Sequence, residues 1–119
     1  MLKILMLVSG GFEFLFGASL LVLILKGSSL GGIGREWATL LGVWTFLLGL
    51  AALIMHNRLG TAAGMGTAYT LWLYNVVAAV ALIYAALDST DHLIRGGAAI
   101  HTVLGLLLTY ALFMPAGGE

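Results

Sequence analysis

Two ionisable side chains stand deep inside apolar runs. Glu13 interrupts the stretch from Ile4 to Leu25, and His101 interrupts the stretch from about 94 to 114. A charge at the centre of a bilayer costs at least about 2.5 kcal/mol, so such residues face a bundle interior or a wet cavity and pair with one another. A glutamate and a histidine in contact have two favourable forms, carboxylate with imidazolium or acid with neutral imidazole, and the pair can hold or pass a proton. Counting rise along antiparallel helices sets Glu13, Thr45, Asn75 and His101 near the middles of four successive helices, one polar residue per helix at one depth. Asn75 and Thr45 would then satisfy the remaining donors and acceptors. Trp44, Tyr74 and Tyr110 are placed to wall the same pocket with apolar bodies and polar tips. The expected site is a midplane pocket for a proton, a small cation or a lipophilic molecule with one polar head. The same layer can also serve only to pin four helices together, since interhelical hydrogen bonds in membranes are commonly structural and worth about 1 kcal/mol each.

The elements that must position these residues follow from composition. Of 119 residues, 61% are hydrophobic and 8% charged, with a mean hydropathy of +1.10, far from the balance of a soluble domain. A spanning helix needs roughly 20 apolar residues. Four runs meet that length, at 4–25, 37–55, 64–87 and 94–114. The fold class is therefore all-α: a polytopic membrane protein with four transmembrane helices in one up-down-up-down bundle, a single domain over residues 1–119 without internal repeats. Lys3 followed by an apolar run has the outline of a signal peptide, but the run is long, contains Glu13 and lacks a small-residue cleavage site before Lys26, so it reads as a retained first helix.

Small residues mark the faces that pack. Glu13 lies between Gly10 and Gly17, Thr45 between Gly42 and Gly49, and His101 between Gly97 and Gly105, while Ala78 and Ala79 follow Asn75. Small residues at spacings of three and four let membrane helices approach closely, which aims the four polar residues at one another.

Polar punctuation joins the helices: KGSSLGGIGRE at 26–36, HNRLG at 56–60 as a tight turn, and DSTDH at 88–92, where Ser89, Thr90 or Asp91 is placed to cap the fourth helix. Pro115 with Gly117 and Gly118 is expected to close the chain after the last helix. Lys26, Arg35 and Arg95 stand on one face of the membrane, against Lys3 and Arg58 on the other; by the positive-inside rule this margin of one favours both termini outside and leaves insertion in both orientations open.

Several chemistries find no support in these residues. Net charge is zero, giving nucleic acid no basic surface to meet. There are no cysteines, hence no disulfide, thiol redox chemistry or thiolate metal site. His101 has no second axial ligand at matching depth for a haem. Asp88, Asp91 and His92 are too few for a metal site and read as capping residues, and His56, Asn57 and Arg58 read as a solvated turn. Trp37, Trp72 and Tyr84 sit toward helix ends, where an aromatic belt is expected. No cofactor and no metal site is predicted.

Two family resemblances emerge. GGFE at 10–13 and GTAYTLW at 66–72 resemble the first-helix glutamate motif and the third-helix G-x-A-Y-x-x-W motif of the small multidrug resistance transporters. That likeness implies that Glu13 is a shared proton and substrate carboxylate, that Tyr69 and Trp72 line the site, and that the unit is an antiparallel homodimer. Tyr74 and Val76 stand where that family carries glycines. Residues 35–60, REWATLLGVWTFLLGLAALIMHNRLG, and IHTVLGLLLTYAL at 100–112 are similar to the second and last helices of DoxX-like and related small four-helix membrane proteins. That likeness implies an accessory subunit or a partner of an oxidoreductase.

The expected role is a small accessory or ligand-binding protein of a bacterial or archaeal cell membrane, partnered by the lipid bilayer, by further copies of itself or a larger membrane complex, and by a small lipophilic or cationic ligand. A proton-coupled exporter is the first alternative. An intramembrane isomerase using Glu13 and His101 as acid and base on a lipophilic substrate is the second.

Overall fold

The computed structural model describes residues 1–28 and 34–114. Within them the chain forms four helices, α1 (Leu2–Leu25), α2 (Arg35–Met55), α3 (Ala62–Leu87) and α4 (His92–Phe113), antiparallel in succession. At 1.5 Å per residue they run about 31 to 39 Å, enough to cross a hydrocarbon core. All four are apolar enough to do so. The chain is thus a multi-pass membrane protein built as a four-helix bundle, with principal extents of 52 × 29 × 16 Å.

Local chemistry sets the helix ends. Thr61 caps α3 by accepting from the Gly64 amide at 3.1 Å, and Asp91 caps α4 by accepting from the Leu93 amide at 2.8 Å. Gly27, at φ +70, closes α1: its amide bonds to the Ile24 carbonyl, and the Ser28 amide reaches back to Leu23, each at 3.0 Å. That is the double bond of a Schellman end, which needs a left-handed residue where only glycine is unstrained. In the α2–α3 turn the Thr61 amide bonds the Arg58 carbonyl at 2.9 Å, and the His56 ring N–H donates to the Leu53 carbonyl at 2.6 Å. The expected closure at Pro115, Gly117 and Gly118 lies outside the described residues, as does part of the α1–α2 loop.

The bundle consists of two hairpins, α1 with α2 and α3 with α4, more closely packed within than between. Glycine brings α1 and α2 together. Gly10 faces Ala52 and Gly49, and Gly17 faces Gly42, Thr45 and Phe46. A methyl group on Gly10 would stand 2.7 Å from the Ala52 Cβ, and one on Gly49 would stand 2.6 Å from the Gly10 carbonyl oxygen and collide with the Phe14 backbone. Seven residues separate the glycines on each helix, about 10 Å of rise, so the two pairs fix the antiparallel register.

Several polar side chains are buried near mid-helix while many large apolar ones face outward. Leu15, Val80 and Leu106 are among many large apolar side chains that point outward, while the largest fully buried side chains are Met6, Leu71, Leu108, Glu13, Asn75, Thr45 and Ser9. This inversion suits a chain whose solvent is lipid, where burial of apolar surface no longer drives folding and internal hydrogen bonds can. Large apolar packing concentrates near the termini and the α2–α3 turn, around Leu5, Met6, Leu48, Leu71 and Leu108. The polar layer lies at the inner edge of that core.

Candidate functional site

Glu13, Thr45, Asn75 and His101 are all buried near the middles of their helices, His101 being 5% exposed and the other three fully enclosed. Three of them form one cluster at the seam between the hairpins. The His101 Nδ1 lies 3.0 Å from the Asn75 Oδ1 and 3.6 Å from the Glu13 Oε1. Asn75 Nδ2 donates to the Leu71 carbonyl at 2.9 Å and to the Ser9 hydroxyl at 3.0 Å.

Asn75 dictates how the ring of His101 is protonated. The Leu71 carbonyl can only accept, so the amide atom that meets it is the NH2 group, and the oxygen must face the ring. That oxygen in turn can only accept. Nδ1 of His101 therefore carries a proton, and a neutral His101 presents a bare lone pair at Nε2.

Glu13 is the exception in this otherwise satisfied cluster. Among the described residues neither carboxyl oxygen has a hydrogen-bond partner, although the side chain is fully buried. The Nδ1 proton of His101 goes to the closer Asn75 oxygen, leaving Glu13 at 3.6 Å as the more distant second acceptor. Tyr74 lies close beside the carboxyl without completing hydrogen-bond geometry. An unsatisfied buried polar group costs about 1–3 kcal/mol, and native proteins carry few. Phe12 and Tyr74 hold the His101 ring from two sides, each edge-on with centroids 5.6 Å away.

Thr45 is at the right depth but stands apart from the cluster. Its hydroxyl donates to the Leu41 carbonyl of its own helix at 2.8 Å and packs against Gly17, so it satisfies no group of the Glu13–His101 pair. Hydroxyls in membrane helices commonly bond the carbonyl four residues back, and the spacing alone does not disclose that choice.

The aromatic wall differs from the expected one. Tyr74 is at the site, but Trp44 and Tyr110, 58% and 56% exposed, face outward and do not wall it. Trp44 borders an open groove of about 420 Å³ between α2 and α3, opposite Thr70 and Gly66. Tyr69 is 43% exposed near Phe113, and the Trp72 indole donates to the Thr109 hydroxyl at 2.8 Å, which ties α3 to α4. Within one chain neither Tyr69 nor Trp72 lies among the polar neighbours of Glu13.

Ser9 is the residue that sequence reasoning overlooked. A serine costs little in a membrane helix and does not stand out, yet it sits four residues before Glu13, on the same helix face. That spacing is the signal that was available.

The space around the site consists of open grooves between helices. One of about 340 Å³ lies between α1 and α4, lined by Val8, Phe12 and Ile100 among other apolar residues. Another of about 350 Å³ lies between α3 and α4 and reaches His101. Glu13 lines neither. His101 is thus the member of the pair in touch with both the buried carboxyl and the outside of the bundle. Comparison of the chain with known protein families, with curated proteins and with solved structures finds no match.

Proposed function

We propose that this is a small ligand-binding membrane protein, acting alone or as an accessory subunit, in which Glu13 and His101 hold a proton between them for exchange with the polar head of a bound ligand. The observation that carries this reading is the fully buried Glu13 carboxyl with two unpartnered oxygens, 3.6 Å from a histidine that borders a lipid-facing groove. A residue serving only to pin helices would have its hydrogen bonds made, as Asn75 does. A group that must take up and release a proton has to remain available for it.

The exporter reading, suggested by the small multidrug resistance likeness, requires Tyr69 and Trp72 beside Glu13. Their placement in a single chain gives that reading less support. An isomerase would need an enclosed chamber shared by Glu13 and His101, whereas the grooves between these helices are open and His101 alone borders one of them.

Infrared difference spectroscopy on the protein in lipid nanodiscs tests the proposal. A carboxyl C=O band that is lost in Glu13→Gln, and that changes amplitude as the sample is titrated over a wide pH range, is the expected result. A Glu13 signal that stays constant across that range removes proton exchange from the account.

A further inference from the structure

The α3–α4 groove is bordered by His101. Its floor is made of small residues, Ala79 and Gly105, its flanks include Val76, Trp72 and Leu106, and its volume is about 350 Å³. That is at the lower end of the roughly 300–1,000 Å³ that ordinarily holds a small molecule. Two polar groups on its walls already have partners: Thr109 accepts from Trp72 and donates to the Gly105 carbonyl, and Thr102 donates to the Ala98 carbonyl. The ring of His101 does not share that completeness. Its Nδ1 proton is committed inward to Asn75, while among the described residues Nε2 has no hydrogen-bond partner.

We infer that the α3–α4 groove is a binding site for a lipid-soluble phenol, whose hydroxyl donates to the Nε2 of His101 while its ring lies over Ala79 and Gly105 beside Trp72. The chemistry of the head group follows from the hydrogen-bond chain. Leu71 orients Asn75, Asn75 places the His101 proton on Nδ1, and the other nitrogen of this groove-lining ring is left an acceptor. A carbonyl, ether or ester brings no proton to that acceptor; a hydroxyl does. The small floor leaves room for a flat ring, and the Trp72 indole offers an aromatic flank. The site rests on the ligand-binding reading above and specifies its ligand. Glu13, reached through the same imidazole, is the group behind it.

The test uses thymol as the probe and thymol methyl ether as its donor-free counterpart. The protein is placed in lipid nanodiscs with His56 and His92 replaced by glutamine, and the ring nitrogens of His101 are followed by NMR. Without probe, the ring is expected to be protonated at Nδ1. Thymol should shift the Nε2 signal saturably toward the hydrogen-bonded position and leave Nδ1 in place, and thymol methyl ether should not. Leu106→Trp, at an outward-facing position that borders the groove, should abolish the shift, and Val80→Trp at the same groove serves if the first variant does not fold. A proton found on Nε2 in the free protein, an equal shift with the methyl ether, a shift that persists in the folded groove variant, or no saturable shift overturns the site. A missing thymol shift therefore removes the groove site without touching proton exchange at Glu13, and a silent Glu13 infrared band does the reverse.

Discussion

Replacing Glu13 with methionine should make the protein more stable. The side chain is fully buried and both of its oxygens lack partners, so the wild type bears the cost of an unsatisfied polar group, about 1–3 kcal/mol. Methionine keeps a similar length and flexibility without those atoms. The substitution does not orphan the His101 Nδ1 proton, which is already taken by the Asn75 oxygen at 3.0 Å, nearer than Glu13 at 3.6 Å. The expected gain is therefore about 1–3 kcal/mol. Reversible unfolding in mixed micelles, with the midpoint and slope compared between wild type and variant, measures it. If Glu13 and His101 instead form a structural ion pair, removing one partner should cost about 3–5 kcal/mol, because a buried charge is left uncompensated. A destabilisation of that size would refute the reasoning for Glu13 as an available, unsatisfied group.

Other positions give sharper or smaller effects. Gly49→Ala should disrupt the α1–α2 hairpin, costing at least about 1–3 kcal/mol, since its methyl group meets the Gly10 carbonyl and the Phe14 backbone, whereas Gly11→Ala, with nothing near it, should change stability little; the pair is compared by thermal unfolding. Asn75→Leu removes bonds to Ser9, Leu71 and His101 and should cost about 1–2 kcal/mol in the same assay, while freeing His101 to move its proton to Nε2, visible in its ring-nitrogen NMR signals. Trp72→Phe removes the indole bond to Thr109 and should cost about 0.6 kcal/mol, with Phe113 still packed against the ring; a loss several times larger in the unfolding assay would mean that the indole supports more than this one link.

Much of the fold is legible in the sequence because membrane spans announce themselves by length and apolarity. The expected spans at 37–55, 64–87 and 94–114 begin about two residues late against Arg35, Ala62 and His92. The reason is local: the caps at Thr61 and Asp91 admit polar or small residues into the first turn, where a hydropathy reading does not extend. The depth of Glu13, Thr45, Asn75 and His101 is equally legible, since rise per residue is constant. Orientation about the helix axis is harder to read. A lipid-facing surface is as apolar as a core, so Trp44 and Tyr110 carry no mark of facing outward, and Thr45 gives no sign that its hydroxyl turns to Leu41. Glycine gives a clearer bearing, because Gly10, Gly17, Gly42 and Gly49 meet across one interface at fixed spacing.

That interface also bears on the order of assembly. The close glycine contacts that set the register of the first two helices are made between those helices themselves, at Gly10, Gly17, Gly42 and Gly49. The polar neighbours of Glu13 and Ser9 come from Tyr74, Asn75 and His101, which leave the ribosome later. During biosynthesis the first hairpin can therefore settle in the bilayer with its glutamate facing lipid. The arrival of the second hairpin ends that exposure, and a late step in insertion becomes the moment at which the two halves of the protein recognise each other.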